Sequence, residues 1–169
     1  MRYININDIV KQNNCHEGLD TEFNSLILDE EKLLSTLSPL LTSQENDPNN
    51  KGMIIDYHSV DFFHEEWIDL IVVLRTKTEL LYDRLVERGY NEKKIGENME
   101  CEIMQVVLDE CKVAFGGEDG SCDRGIVMVE LGSDTEGDLE GNVGRILMWI
   151  DQWREDRGYL DCKVKRTRT

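Results

Sequence analysis

The sequence predicts an α/β fold built on a parallel sheet. Strand-like apolar runs alternate with helix-patterned stretches along the chain, as βαβ units do. Two of the runs, DLIVVLR at 69–75 and IVMVEL at 126–131, are apolar at nearly every position, as strands covered on both faces are. A third run, MIID at 53–56, leads straight into Asp56, Tyr57 and His58. Open α/β sheets present their ligand-handling residues at the carboxyl ends of strands.

Taken in order, 3–6 is a short β-like start, and Asn7 and Asp8 are good cap types for a helix beginning over 9–13. Residues 18–25 read as loop. Asp29, Glu30 and Glu31 open a helix striped by Leu33, Leu34, Leu37, Leu40 and Leu41, which Pro39 kinks or ends. The polar stretch 42–52 reads as a loop, 53–56 as a strand and 65–68 as a short helix. After strand 69–75 comes a helix over 78–88, with Thr76 or Thr78 as cap. One long helix over 97–114 follows, its Ile103, Met104, Val107 and Leu108 facing inward. FGGEDGSCDRG, 115–125, reads as a flexible loop before strand 126–131. A last helix over 138–157 carries Trp149 and Trp153 at helical spacing, as core residues do. The basic tail 161–169 has two readings, a disordered end and a nuclear-localisation or partner-binding signal.

A length of 169 residues suits a single domain over 1–160 followed by that tail. No apolar run approaches the ~20 residues of a bilayer span, and no secretory h-region follows Met1, so no membrane association is expected. A net charge of −16 argues against broad nucleic-acid binding. It fits either a solvated acidic surface or a basic protein partner. Cys15, Cys101, Cys111, Cys122 and Cys162 form no C-x-x-C pair, which disfavours a metal site and a disulfide framework.

Two stretches carry chemistry. Asp56 can serve as a strand-end carboxylate that holds the water shell of Mg²⁺, and His58 can order a water or a phosphate. Both also fit a purely structural strand end. Arg84 and Arg88 stand at i and i+4 on one helix face, ahead of Gly89 and the basic pair Lys93 and Lys94. A cationic helix end feeding a mobile basic loop can clamp polyphosphate. The same arginines can instead pair with Glu79, Asp83 or Glu87 on a solvated face.

The run DYHSVDFFHEEWIDLIVVLRTKTELLYDRLVERGYNEKKIGENMECEIMQVV closely resembles the adenylate kinase isoenzyme six family, also called coilin-interacting nuclear ATPase. YININDIV, LDEEKLL and NVGRILMWIDQW extend the likeness over nearly the whole chain. The resemblance implies a nucleoside monophosphate kinase fold of the P-loop NTPase type. It implies Mg²⁺·ATP-dependent phosphorylation of AMP or a related monophosphate, together with ATPase activity. It also implies maturation of the small ribosomal subunit through a small-subunit ribosomal protein, and a location in nucleus and cytoplasm. By the same likeness 5–28 is the monophosphate-binding segment, with Asp8 and Lys11 as its contacts, and 87–97 is the lid. Arg88 is the lid arginine that meets ATP phosphates, Arg84 resembles an adenine-side arginine, and Asp56 and His58 match the family's Asp-x-His motif.

The chain departs from that pattern in three places. Family members carry an apolar strand, a Gly-x-x-x-x-Gly-Lys-Thr loop and a helix ahead of the segment matching Tyr3. This sequence has no Gly-Lys dipeptide, and its glycine-rich 115–125 is followed by a strand and has no Lys-Ser/Thr. The expectation is a fold lacking its first strand, Walker A loop and first helix, through an incomplete record or an evolved form. The family's first strand lies between those ending at Asp56 and Arg75, so their facing edges are expected to be unpaired. Lys11 and Glu66 stand where the family has arginines, and Glu66 repels a monophosphate. The rival reading is therefore a non-catalytic assembly factor that binds a basic ribosomal protein.

Overall fold

The computed structural model describes residues 1–42, 52–60, 62–116 and 125–166. The predicted loops 42–52 and 115–125 fall outside the described residues except at their ends, as do the last three residues of the tail. The described residues form six strands and six α-helices: β1 Arg2–Asn5, α1 Ile6–Asn13, β2 His16–Asp20, β3 Ser25–Leu28, α2 Glu30–Thr42 and β4 Met53–Asp56 come first. After a 3₁₀ turn at Glu65–Trp67 come β5 Leu70–Arg75, α3 Thr78–Glu87, α4 Glu92–Ile103, α5 Val106–Phe115, β6 Val127–Gly132 and α6 Glu136–Arg166.

The α/β expectation holds, with parallel pairing in two places. β1 lies parallel to β4 with Asn5 opposite Asp56, and β5 lies parallel to β6 with Arg75 opposite Gly132. Among the described residues β4 and β5 are not hydrogen-bonded to each other, so each has one edge without a strand partner. Leu74 on β5 is 57% exposed, against the expectation of a strand buried on both faces: Ile71 and Val73, on the alternate face, are the residues packed against α5.

Several local readings are corrected. The helix start is set by Asn5, whose side-chain oxygen accepts the Asp8 N–H, and not by Asn7 or Asp8. The expected loop 18–25 is the antiparallel hairpin β2–β3. Its turn is built by Asp20, whose carboxylate accepts the N–H groups of Glu22 and Phe23, and by Asn24 in the left-handed region at φ 49°. Pro39 neither ends nor interrupts the assigned helix α2. It sits on the exposed side, where water can satisfy the carbonyl it leaves unpaired. The long helix expected over 97–114 is two helices, divided where Gln105 turns left-handed at φ 58°. Ile103 and Met104 end the first helix 60% and 63% exposed, while Leu108 in the second is buried. Neither Thr76 nor Thr78 caps α3, whose N-cap is Lys77. Trp149 and Trp153 stack on each other at 5.9 Å, half-buried and in neither core cluster.

Two apolar clusters hold these elements. One packs Ile4, Ile6, Val10 and Cys15 against the Leu33, Leu37 and Leu41 stripe of α2. The other packs Ile71, Val73 and Ile126 of the β5–β6 region against Leu108, Cys111 and Phe115 of α5. Phe63 touches both clusters. No described helix is long and apolar enough to cross a membrane.

Burial separates leucines that look alike in sequence. Leu37→Ala, at a site with no exposure, is expected to cost about 2–5 kcal/mol in urea unfolding, and Leu74→Ala within about 0.5 kcal/mol. Equal losses at the two sites would contradict this packing.

Candidate functional site

The ends of the parallel strands carry the polar chemistry. At the end of β4, Asp56 Oδ2 accepts a hydrogen bond from the Tyr3 hydroxyl at 2.5 Å and from Asn5 Nδ2 at 2.9 Å. Tyr3 and Asn5 share one face of β1 because strand side chains alternate, and the register brings that face to Asp56. The phenol's bond to the carboxylate raises the Tyr3 pKa. Asn5 thus joins Asp56 to the start of α1, where Asp8 and Lys11 are both exposed.

His58 follows two residues later, its ring 4.3 Å from that of Tyr57. The residue as a whole is exposed, but partial shielding of the ring lowers its pKa; Glu110 opposes this and Lys94 adds to it. At neutral pH His58 is a neutral imidazole able to donate from one nitrogen and accept at the other.

The two arginines have different fates. Arg84 gives its guanidinium to the protein: Nη1 donates to Thr76 Oγ1 and the Ser133 carbonyl at 2.9 and 2.8 Å, and Nη2 to the Asp134 carbonyl at 2.7 Å. The Thr76 hydroxyl also donates to the Ser133 carbonyl, and buried Asn142 donates to that of Gly132. These bonds lock the turn from β6 to α6 onto the start of α3. Arg84 therefore pairs with none of Glu79, Asp83 or Glu87, and its fork is not presented outward. Arg88 is exposed at the end of α3, with no acidic group in ion-pair distance among the described residues.

The expected mobile basic loop is a tight turn followed by a helix. Gly89 at φ 71° and the N–H groups of Gly89 and Tyr90, bonded to the Val86 and Leu85 carbonyls, close α3 in a Schellman turn. Asn91 then caps α4 by accepting the Lys94 N–H. Lys93 pairs with Glu22 of the β2–β3 turn and lies 4.4 Å from the centre of the Phe23 ring, while Asn91 Nδ2 donates to the Glu22 carbonyl at 3.4 Å. Lys94 lies over the Tyr90 ring at 4.5 Å. The monophosphate-binding segment and lid inferred from resemblance are thus in contact through Glu22 and Lys93.

The structure adds Tyr3 and Asn5 to Asp56, sets Glu22 against Lys93 at the start of α4, and assigns Arg84 to the β6–α6 turn. Tyr3 and Asn5 had a signal in the sequence: two polar-tipped residues at i and i+2 on a strand share a face. Glu22 had none, since its partner lies 71 residues away.

Two outcomes follow from these contacts. A double-mutant cycle with Glu22→Gln and Lys93→Met should return a coupling of about 0.2–1 kcal/mol at low salt, fading as salt is added. No coupling in 10 mM salt would mean that the pair does not hold the hairpin. Asp134 has its pKa lowered, first by the Lys77 N–H and then by the Lys77 ammonium. Its contribution to stability is therefore present above the unfolded value and is lost as pH falls through the depressed folded one. In acid titrations Asp134→Asn should remove that part of the pH dependence, and an unchanged profile would argue against the contact.

Comparison with known proteins agrees with the architecture. A family model described as an AAA domain matches residues 1–105. An adenylate kinase isoenzyme 6 homolog of Dictyostelium discoideum is 39% identical over 155 residues, covering 92% of this chain and 80% of the relative. Homologs of the same name from Caenorhabditis elegans and Saccharomyces cerevisiae are each 42% identical over 154 residues. They cover 91% of this chain, and 78% and 71% of the relatives respectively. With identity at this level across nine-tenths of its length, the chain belongs to the adenylate kinase isoenzyme 6 family.

Proposed function

We propose that this chain binds Mg²⁺·ATP together with a nucleoside monophosphate, in the manner of an adenylate kinase (ATP + AMP ⇌ 2 ADP). The observation that carries the reading is the Asp56 carboxylate, held by two donors at the carboxyl end of a parallel strand in a chain of this family. In the transfer, an oxygen of the monophosphate attacks the γ-phosphorus in line and ADP leaves. Exposed Arg88 would meet the negative charge of the ATP phosphates, and neutral His58 would order a water beside them. Asp8 and Lys11 at the start of 5–28 would address the monophosphate, with Lys11 offering a point charge in place of a fork.

The residues present fit a magnesium ion. Among the described residues there is no group of three or more His, Cys, Asp or Glu able to hold a metal. The end of β4 instead offers one carboxylate, whose Oδ1 has no hydrogen-bond partner among the described residues. Mg²⁺ keeps most of its waters and is commonly held by one or two carboxylates plus substrate phosphates, so a single strand-end aspartate is enough. When bound, the ion would neutralise charge on the β- and γ-phosphates.

Phosphoryl transfer in P-loop kinases also needs a cradle of the Gly-x-x-x-x-Gly-Lys-Thr type, which these 169 residues do not contain. The reading is therefore that they bind nucleotide more readily than they turn it over, with ATPase activity correspondingly weak. A second reading is favoured by the net charge of −16 and by Glu66. In it the protein is a nuclear and cytoplasmic assembly factor whose acidic surface binds a basic small-subunit ribosomal protein.

Thermal unfolding with and without Mg²⁺·ATP separates the two. Wild type should be stabilised by Mg²⁺·ATP, and Arg88→Ala should weaken the affinity by about tenfold or more, the scale of one charge-assisted hydrogen bond. Equal stabilisation of both proteins would remove Arg88 from the site. No stabilisation of wild type, with nucleotide-independent capture of a purified basic ribosomal protein, would favour the second reading.

A further inference from the structure

The bonds made to Asp56 are unevenly shared. Both recorded side-chain donors, the Tyr3 hydroxyl and Asn5 Nδ2, go to Oδ2, and Asn5 Nδ2 also lies 3.3 Å from the Tyr3 oxygen. The three groups close a triangle across β1 and β4. Asn5 cannot turn its amide without losing the cap of α1, because its Oδ1 accepts the Asp8 N–H. The amide orientation is thus fixed from the helix side, and the carboxylate plane is fixed by two donors from the neighbouring strand. Tyr3 is 61% exposed, so its ring adds little to the core, and its hydroxyl proton is given to Asp56.

We infer that Tyr3 and Asn5 are positioning residues for Asp56: by occupying Oδ2 they direct Oδ1 alone toward a hydrated divalent cation. The inference rests on the nucleotide-binding reading of the site. Its physical basis is that a carboxylate free to rotate presents either oxygen and loses orientation when the cation's water arrives. Partners that orient a ligating group commonly govern metal affinity by ~10–100-fold, although they never touch the ion.

The test uses the whole chain and two readouts. Tyr3→Phe removes the donor and keeps the ring, while Asn5→Ser keeps an oxygen to cap α1 and removes the amide donor. The first readout, without nucleotide, is the side-chain carboxyl ¹³C resonance of Asp56, assigned with Asp56→Asn. It should move in both variants. The second is the Mg²⁺ concentration for half-maximal ATP binding by calorimetry. It should rise about tenfold in Tyr3→Phe, with ATP affinity in EDTA unchanged. In the Asp56→Asn background, Tyr3→Phe should add nothing further. Wild-type Mg²⁺ dependence in Tyr3→Phe, where Asp56→Asn shifts it, would overturn the inference. If Asp56→Asn itself leaves the Mg²⁺ dependence unchanged, the nucleotide reading of the site fails. The positioning inference, which rests on that reading, is then overturned with it, and movement of the carboxyl resonance in Tyr3→Phe would show only the hydrogen bond itself.

Discussion

Asn5 sits where three requirements meet. Its backbone closes the β1–β4 register opposite Asp56, its side-chain oxygen starts α1, and its amide nitrogen holds the Asp56 carboxylate. Few residue types can do all three. The side chain must accept from a helix N–H and donate to a carboxylate, at a length that spans one strand spacing. Asparagine has both functions on one short planar group. The position of the candidate catalytic carboxylate, the direction in which α1 leaves the sheet and the placing of Asp8 and Lys11 therefore depend on one side chain.

A similar economy appears at the other parallel pair. Arg75 ends β5 and donates to Glu102 at the end of α4, while Arg84 reaches from α3 to the carbonyls beyond β6. Both arginines act as braces that satisfy carbonyls and carboxylates near strand ends, where the ladder has run out of partners. Arg88, one helical turn after Arg84, is left outward. Two arginines at i and i+4 thus differ in role because one faces the β6–α6 turn and the other faces solvent.

Contact between the hairpin turn and the start of α4 links parts of the chain that share no extensive packing. Its members are exposed, so the link is weak and sensitive to salt. The Arg84 network, by contrast, is part-buried and built from three hydrogen bonds.

Local chemistry in the sequence determined a good deal here: the apolar runs that became β4, β5 and β6, the leucine stripe of α2, and Asp56 and His58 at a strand's end. Each follows from short-range periodicity or from one residue type at a boundary, and the family likeness rested on such runs. What only the tertiary structure decided depends on residues far apart. Gln105 breaks a helix that periodicity reads as continuous, because a left-handed residue leaves no trace in apolar spacing. The β2–β3 hairpin hides in a polar stretch because its turn is held by Asp20 and Asn24 rather than by a Gly-rich signal. The carbonyl partners of Arg84 and the partners of Lys93 and Asp56 lie 49 to 71 residues away in chain order. Side-chain hydrogen bonds at that separation carry no period, so only the folded chain could show that one arginine is a brace, one lysine a clasp, and a tyrosine the partner of the carboxylate.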